Sequence, residues 1–179
     1  MPLPDSPDPG PGHRLAIKLL VPVVVLLAAV VLVFYVFFSS AVVVGPSMLP
    51  TLRNADYLLI THGASHLKRG DIVVTDVAET GGPVQLVKRV IGLPGDVVEV
   101  RKDVAYVNGQ PEPWRGQAVQ PGFSTDVPPV TIPAGRIYVM GDNRAVSEDS
   151  RYLGPVPMSG VKGRAAAIFA PLNRIRILQ

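Results

Sequence analysis

The sequence predicts a mostly β protein, in which an antiparallel β-sheet domain follows one N-terminal transmembrane helix. The first observation is a run of twenty residues without a charge, from Leu19 to Phe38. The second is the chain beyond Val44, where short stretches rich in Val, Ile, Thr and Tyr are interrupted by Gly, Pro, Asn and Asp. This composition, without a long amphipathic helix, is typical of many short strands. We therefore expect one β domain and one anchor within 179 residues.

Residues 15–44 are predicted to form the transmembrane anchor. Twenty apolar residues cross a hydrocarbon core of about 30 Å. The run exceeds the apolar core of a secretory signal peptide, and Ser39-Ser40-Ala41 is only a weak cleavage site, so we expect the segment to be retained. Arg14 and Lys18 precede the run, and no basic residue follows it until Arg53. This asymmetry predicts a single-pass protein of the plasma membrane, with a cytoplasmic N-terminus and the β domain outside.

Residues 1–14, rich in proline, are predicted to be a disordered cytoplasmic tail. Residues 45–175 are predicted to be the extracytoplasmic β domain, with residues 101–133 as a small hairpin and loop insertion. Asn108-Gly109 is a strong tight-turn signal within that insertion, and the stretch 110–133 has the composition of a loop. The predicted strands cover residues 57–60, 71–75, 85–91, 96–101, 104–107, 136–140 and 163–169.

Composition excludes several kinds of site. The chain has no cysteine, so it holds no disulfide, cysteine nucleophile or thiolate metal site. Its net charge of +3 is carried by scattered basic residues, which favours an anionic membrane surface over nucleic acid as a partner. His62 and His66 are four residues apart, but Gly63 disfavours a helix between them, so we expect loop histidines. We expect no metal and no organic cofactor.

A serine and a lysine form the first candidate pair for chemistry. Ser47 lies in an apolar stretch just beyond the anchor, and Lys88 lies in the strand-like run 85–91. A serine hydroxyl needs a base to become a nucleophile, and a lysine can serve if burial lowers its pKa. Leu86 and Val90 would share one strand face with Lys88 and shield it from water. From these residues alone, a simple turn at Ser47 and an ordinary surface lysine at position 88 remain open.

A polar block from Gly141 to Gly154 is the third candidate element. Gly141-Asp142-Asn143 is typical of a turn whose side chains bond to the backbone. Asp149 and Arg151 are two residues apart and would face the same way in an extended segment. The pair could support a site, or it could be a surface ion pair of little energetic value.

Four stretches, in this order, resemble the conserved boxes of the type I signal peptidases, the membrane-bound serine proteases that remove signal peptides from exported proteins. They are Ser47–Leu52, Arg69–Val74, Lys88–Asp96 and Gly141–Gly154. The resemblance implies the β fold that these enzymes share with LexA-like self-cleaving repressors.

The resemblance also implies roles for individual residues. Ser47 would be the nucleophile, and Lys88 the general base. Ser147 would hydrogen-bond to the Lys88 amine and orient it. Asp149 and Arg151 would form a supporting pair, and Asp142 would help to shape the last box.

The chain departs from the family pattern at Gly45, where some members have a serine that completes the oxyanion hole. The hole would then depend on backbone amides, with Ser47 N–H as one donor and Gly45 N–H as the second. Only fifty-two residues separate Lys88 from Gly141, so the resemblance is to the compact, single-span form.

The expected substrates are preproteins with a small-x-small cleavage signal, which would bind as an extra strand beside the sheet. The candidate pocket residues, for which ordinary core packing is the alternative, are Val43, Met48, Leu52 and Val87. We expect the enzyme to act as a monomer on signal peptides at the lipid bilayer. Two alternatives stay open: another Ser–Lys protease of the same fold, and an inactive membrane-tethered β binding domain.

Overall fold

A computed structural model describes residues 11–63, 66–79, 82–113 and 125–178. The chain divides at the Phe37–Phe38 bond into two compact units, an N-terminal helix and a β domain. Residues 1–10 of the predicted tail, and residues 114–124 of the predicted insertion, lie outside the described residues.

The first unit contains helix α1, Pro11–Phe37. Its segment Lys18–Phe37 is long and apolar enough to cross a membrane, and none of it is buried within the protein. The helix begins inside the predicted tail and ends seven residues before the predicted anchor boundary at Val44. The reason is that Phe38–Val42 pair with a neighbouring strand, so they satisfy their backbone hydrogen bonds in the sheet.

The β domain is antiparallel throughout its described strand pairs, as the sequence predicts. Its strands, in chain order, are β1 Phe38–Val42, β2 Tyr57–His62, β3 Ile72–Glu79, β4 Gly82–Gly92, β5 Val97–Arg101, β6 Val104–Val107, β7 Gln110–Pro111, β8 Val127–Thr131, β9 Arg136–Met140, β10 Val156–Pro157, β11 Val161–Ala170 and β12 Arg176–Ile177. A four-residue helix, α2, covers Ser150–Leu153. All seven predicted strands are present.

Eight of these strands form the main sheet, in the order β1-β2-β11-β3-β4-β9-β10, with β12 paired to β11. Strand β4 is central, because β3 pairs with it from Gly82 to Arg89 and β9 pairs with it from Arg89 to Gly92. The first half of β4 therefore has only β3 as a neighbour among the described strands. This leaves a free strand edge directly before Arg89.

The second sheet has the order β7-β6-β5-β8, and most of it comes from the predicted insertion. Asn108 and Gly109 both have positive φ, at 53° and 81°, and they join β6 to β7 as the predicted two-residue turn. Strand β8 lies in a stretch that was predicted to be a loop. Its sequence, Val-Pro-Pro-Val-Thr, is not typical of a strand, because proline has no N–H to donate to a sheet. Prolines are tolerated here since β8 is an edge strand.

Candidate active site

Ser47 lies in the loop between β1 and β2, and buried neighbours hold this loop in place. Met48 and Leu52 are 1% and 0% exposed, and the Leu52 N–H donates to the Met48 carbonyl at 2.8 Å. At the start of the loop, Val43 N–H donates to the Asp56 carbonyl at 2.9 Å. The apolar residues after Ser47 therefore anchor the loop in the core and leave the Ser47 side chain half-buried at the surface.

Lys88 reaches this serine from strand β4. Its Nζ lies 3.0 Å from Ser47 Oγ, although the two residues are forty-one positions apart in sequence. Only 3% of Lys88 is exposed. This burial lowers the pKa of Lys88 from the ordinary value of 10.5, while the negative charges of Asp149 and Glu148 act in the opposite direction. The site therefore brings a hydroxyl to an amine that loses its proton more easily than a lysine in water.

The polar block after β9 is bonded directly to the serine loop. Asn143 N–H donates to the Ser47 carbonyl at 2.9 Å, and Asn143 Nδ2 donates to the Pro46 carbonyl at 3.2 Å. These two bonds fix the carbonyl groups of the peptide bonds before and after Ser47. The predicted turn at Gly141-Asp142-Asn143 thus positions the candidate nucleophile.

A buried ion pair joins the same block to β4. The Arg89 guanidinium donates to both carboxylate oxygens of Asp142, at 2.8 and 2.6 Å, and it also donates to the Gly70 carbonyl at 2.8 Å. Thr51 Oγ1 donates to the same carboxylate. Both side chains of the ion pair are almost fully buried. Asp142 therefore holds together the serine loop, the lysine strand and the last box.

Asp149 and Arg151 form a second buried ion pair, but their backbone geometry differs from the predicted extended segment. Asp149 caps helix α2 and accepts from Arg151 N–H at 3.2 Å and from Arg151 Nε at 2.9 Å. Its other carboxylate oxygen accepts from Gly141 N–H at 2.9 Å. The short polar side chain of Asp149 satisfies amides that the start of a helix leaves without partners, which favours the helix over an extended strand.

Sequence reasoning did not identify the buried ion pairs that extend this network to the second sheet. Arg144 donates to both carboxylate oxygens of Glu112 at 2.7 and 2.6 Å and to the Asp103 carbonyl. Arg151 Nη1 donates to the Asp103 carboxylate at 2.9 Å. These partners lie more than thirty positions apart in sequence, so local patterns contain no signal for them. The second sheet is therefore bonded to the last box through buried charges.

Two predicted details of the site, the Gly45 amide as an oxyanion donor and the Ser147 hydrogen bond to Lys88, stay predictions, and the structure shows the present surroundings of both groups. Gly45 N–H donates to Asn54 Oδ1 at 3.1 Å. The Gly45 amide therefore already has a hydrogen-bond partner in this arrangement. Ser47 N–H makes no hydrogen bond within the described part of the chain.

The second detail concerns Ser147, whose buried hydroxyl has no hydrogen-bond partner among the described residues. The hydroxyl instead lies against the backbone of Gly141. A Cβ placed on Gly141 would come within 2.2 Å of Ser147 Oγ and 2.5 Å of the Ser47 carbonyl oxygen. Only glycine permits this close approach of the last box to the serine loop.

The candidate pocket residues are mainly core residues. Val43, Met48 and Leu52 belong to one buried hydrophobic cluster, with exposures of 3%, 1% and 0%. Val87 is half-buried and packs against this cluster. The first three side chains are thus occupied in packing, which is the alternative that the sequence left open, and Val87 alone keeps surface available to a ligand.

The histidines lie away from the serine. His62 and His66 line a cavity of about 300 Å³ together with Lys68 and Arg164. Among residues 11–63, 66–79, 82–113 and 125–178, no group of three or more histidine and acidic side chains is arranged to hold a metal ion.

The matching family model and the similar sequences agree in one family. The family model described as signal peptidase, peptidase S26, matches residues 16–170. A signal peptidase I of Bacillus licheniformis is 40% identical over 147 residues, which cover 75% of this chain and 78% of that protein. Signal peptidase I S of Bacillus subtilis is 40% identical over 148 residues, with the same coverage. A crystal structure of a signal peptidase I from Enterococcus faecalis aligns with a TM-score of 0.45 and 31% identity, covering 57% of this chain and 98% of that one.

We expect Asp142→Asn to destabilise the β domain strongly, because it leaves the buried Arg89 charge without its carboxylate. Breaking a buried ion pair by removing one partner costs about 3–5 kcal/mol. The matched control is Glu99→Gln, which removes the carboxylate from the solvent-screened Arg101–Glu99 pair. The free energies of unfolding can be measured in detergent by chemical denaturation and near-ultraviolet circular dichroism. Equal effects of the two substitutions would contradict the central role of Asp142.

Proposed function

We propose a mechanism on the premise that the chain belongs to the signal peptidase family, peptidase S26: Ser47 attacks the substrate, and Lys88 is the general base. The chain is a membrane-associated serine peptidase that removes signal peptides from exported preproteins. The single observation that supports the proposed roles is the 3.0 Å approach of a buried lysine amine to a serine hydroxyl.

The first half of the reaction forms an acyl-enzyme. Neutral Lys88 accepts the proton of Ser47 Oγ while this oxygen bonds to the scissile carbonyl carbon. The resulting ammonium then donates the proton to the departing amine, and the carbon–nitrogen bond breaks. An amine that stayed protonated could not start this cycle, which is why the burial of Lys88 supports catalysis over the alternative of an inactive binding domain.

The second half repeats the proton transfer with water. Lys88 accepts a proton from a water molecule whose oxygen attacks the ester carbonyl, and the proton then returns to Ser47 Oγ. During both halves the carbonyl oxygen carries developing negative charge. Ser47 N–H, which has no partner within the described residues, is our proposed donor to that oxygen.

The free edge of β4 supports strand addition as the mode of substrate binding. Strand β9 meets β4 only from Arg89 onward, so the backbone of residues 83–88 is open on that side among the described strands. An extended peptide paired there would end at Lys88 and Ser47. Side chains two positions apart in such a peptide face the same way, and this matches a signal with small residues at alternate positions. Val87 is our candidate for contact with one of them.

We place the helix in the membrane with its N-terminus in the cytoplasm and the catalytic domain outside, since Arg14 and Lys18 precede the apolar run. This orientation would put the serine on the side where signal peptides emerge. The monomeric state stays a prediction.

We expect Ser47→Ala and Lys88→Met each to reduce preprotein cleavage by about 10³-fold or more, because nucleophile and base act as one unit. The substrate is a preprotein with a small-x-small site, and the enzyme is the full chain in detergent. Lys102→Met is the matched control, since Lys102 is an exposed lysine of the second sheet, and it should keep wild-type activity. Full activity in either of the first two variants, with folding confirmed by circular dichroism, would reject the assigned role.

The pH profile offers a separate test of Lys88. The base must be neutral, so kcat/KM should be high above the Lys88 pKa and fall as the pH drops through it. Because Glu148 raises the Lys88 pKa, Glu148→Gln should move this acidic limb to lower pH. Glu99→Gln, a carboxylate of the second sheet, should leave the limb in place. A limb that stays in place in Glu148→Gln, or moves to higher pH, would contradict the assignment of Lys88.

The absence of cysteine makes the orientation simple to measure by single-cysteine labelling. We expect Ser159→Cys, at an exposed position of the β domain, to react with a membrane-impermeant maleimide in intact cells from which any outer barrier has been removed. Ser6→Cys should react only after the membrane is permeabilised. The reverse pattern would invert the proposed topology.

A further inference from the structure

Basic side chains surround two adjoining cavities of the β domain. The first, of about 300 Å³, is lined by His62, His66, Lys68 and Arg164 among others. The second, of about 580 Å³, shares Lys68 and Arg164 with the first. The catalytic mechanism uses none of these side chains.

The charge around the cavities is unbalanced. Their combined lining contains four lysine or arginine residues and one carboxylate, Asp71. Two of the four, Arg69 and Arg89, are bound to Asp96 and Asp142. Arg164 lies 3.6 Å from Asp71, and the Asp71 carboxylate also accepts from the backbone N–H of Lys68. One carboxylate therefore faces the two remaining cations, which leaves a net positive site.

The second cavity adds an apolar wall to this positive rim. Ala166, Ile177 and Leu178 line it beside Lys68 and Arg164, and Ile177 is 80% exposed. A site with cations on one side and aliphatic side chains on the other suits a ligand that is itself anionic at one end and apolar at the other.

Strand register places this site close to Phe38, the first residue of the β domain. Phe38, the residue after the apolar helix, pairs with Thr61, and Thr61 pairs with Arg164 on the next strand. Adjacent strands are about 4.8 Å apart, so the Arg164 backbone is about 10 Å from Phe38. The twenty-residue segment Lys18–Phe37 has the length of a hydrocarbon core, so in the membrane arrangement proposed above Phe38 would lie at the headgroup layer.

We propose that Lys68 and Arg164 form a binding site for an anionic phospholipid, whose phosphate lies between the two cations and whose acyl chain contacts Ile177. This goes beyond the peptidase activity, because it gives the β domain a lipid contact separate from its helix. The bound lipid would hold the domain against the membrane surface.

The test compares lipid retention by full-length variants in micelles that contain equal amounts of phosphatidylglycerol and phosphatidylcholine. Native mass spectrometry counts the lipids of each kind that stay bound. Wild type should retain phosphatidylglycerol in excess. Each basic residue near an anionic surface contributes about fivefold in affinity, so Lys68→Gln/Arg164→Gln should lower the ratio of the two retained lipids by about 25-fold.

Arg101→Gln/Lys102→Gln is the matched control, because it removes the same charge from exposed residues of the second sheet and should leave the ratio unchanged. Lys18 and Arg14 remain in every variant, so any lipid bound at the other end of the helix is the same in all. An equal loss in both double variants would show attraction by net charge alone and overturn the proposal. Full displacement by millimolar inorganic phosphate would also overturn it, since that result would describe a pocket for a free anion. Retention is measured without substrate, so it is independent of the proposed catalytic roles.

Discussion

The Arg89–Asp142 ion pair is the interaction on which the site depends. Arg89 is the residue after Lys88 in β4, and Asp142 precedes Asn143, which binds the Ser47 carbonyl. The pair therefore sets the distance between the lysine strand and the block that holds the serine loop. Two buried charges are costly to desolvate, so the arrangement is stable only when both partners and their hydrogen bonds are complete. Thr51 and Gly70 supply the remaining bonds.

The need to pair buried charges also explains why the second sheet supports the active site without contributing a reacting group. Arg144 and Arg151 are buried residues of the last box. Asp149 pairs with Arg151 within the box, but the other acidic partners of the two guanidinium groups come from outside the main sheet. They are Glu112 and Asp103, from the second sheet. Removing this sheet would leave the buried Arg144 without its carboxylate partner and Arg151 with Asp149 alone. The described part of the predicted insertion, residues 101–113 and 125–133, thus helps to support the site.

Two opposing effects act on the pKa of Lys88, namely burial and nearby negative charge. Loss of water lowers its pKa, whereas the carboxylates of Asp149 and Glu148 favour the charged amine. Asp149 is largely neutralised by Arg151, through hydrogen bonds of 2.9 and 3.0 Å. The Asp149–Arg151 ion pair therefore has two roles. It organises the last box, and it weakens the negative potential that would keep the Lys88 amine protonated.

The sequence by itself determined the elements with strong local signals. These are the apolar helix, the seven strands with β-forming composition and the Asn108-Gly109 turn, together with the Ser47 and Lys88 candidates. The tertiary structure decided what depends on distant partners. It extended the sheet into Phe38–Val42, directed Gly45 N–H to Asn54, left the Ser147 hydroxyl without a partner among the described residues, and placed Val43, Met48 and Leu52 in the core. The physical reason is that backbone propensity acts between neighbours in sequence, whereas hydrogen-bond partners and burial are set by contacts across the fold.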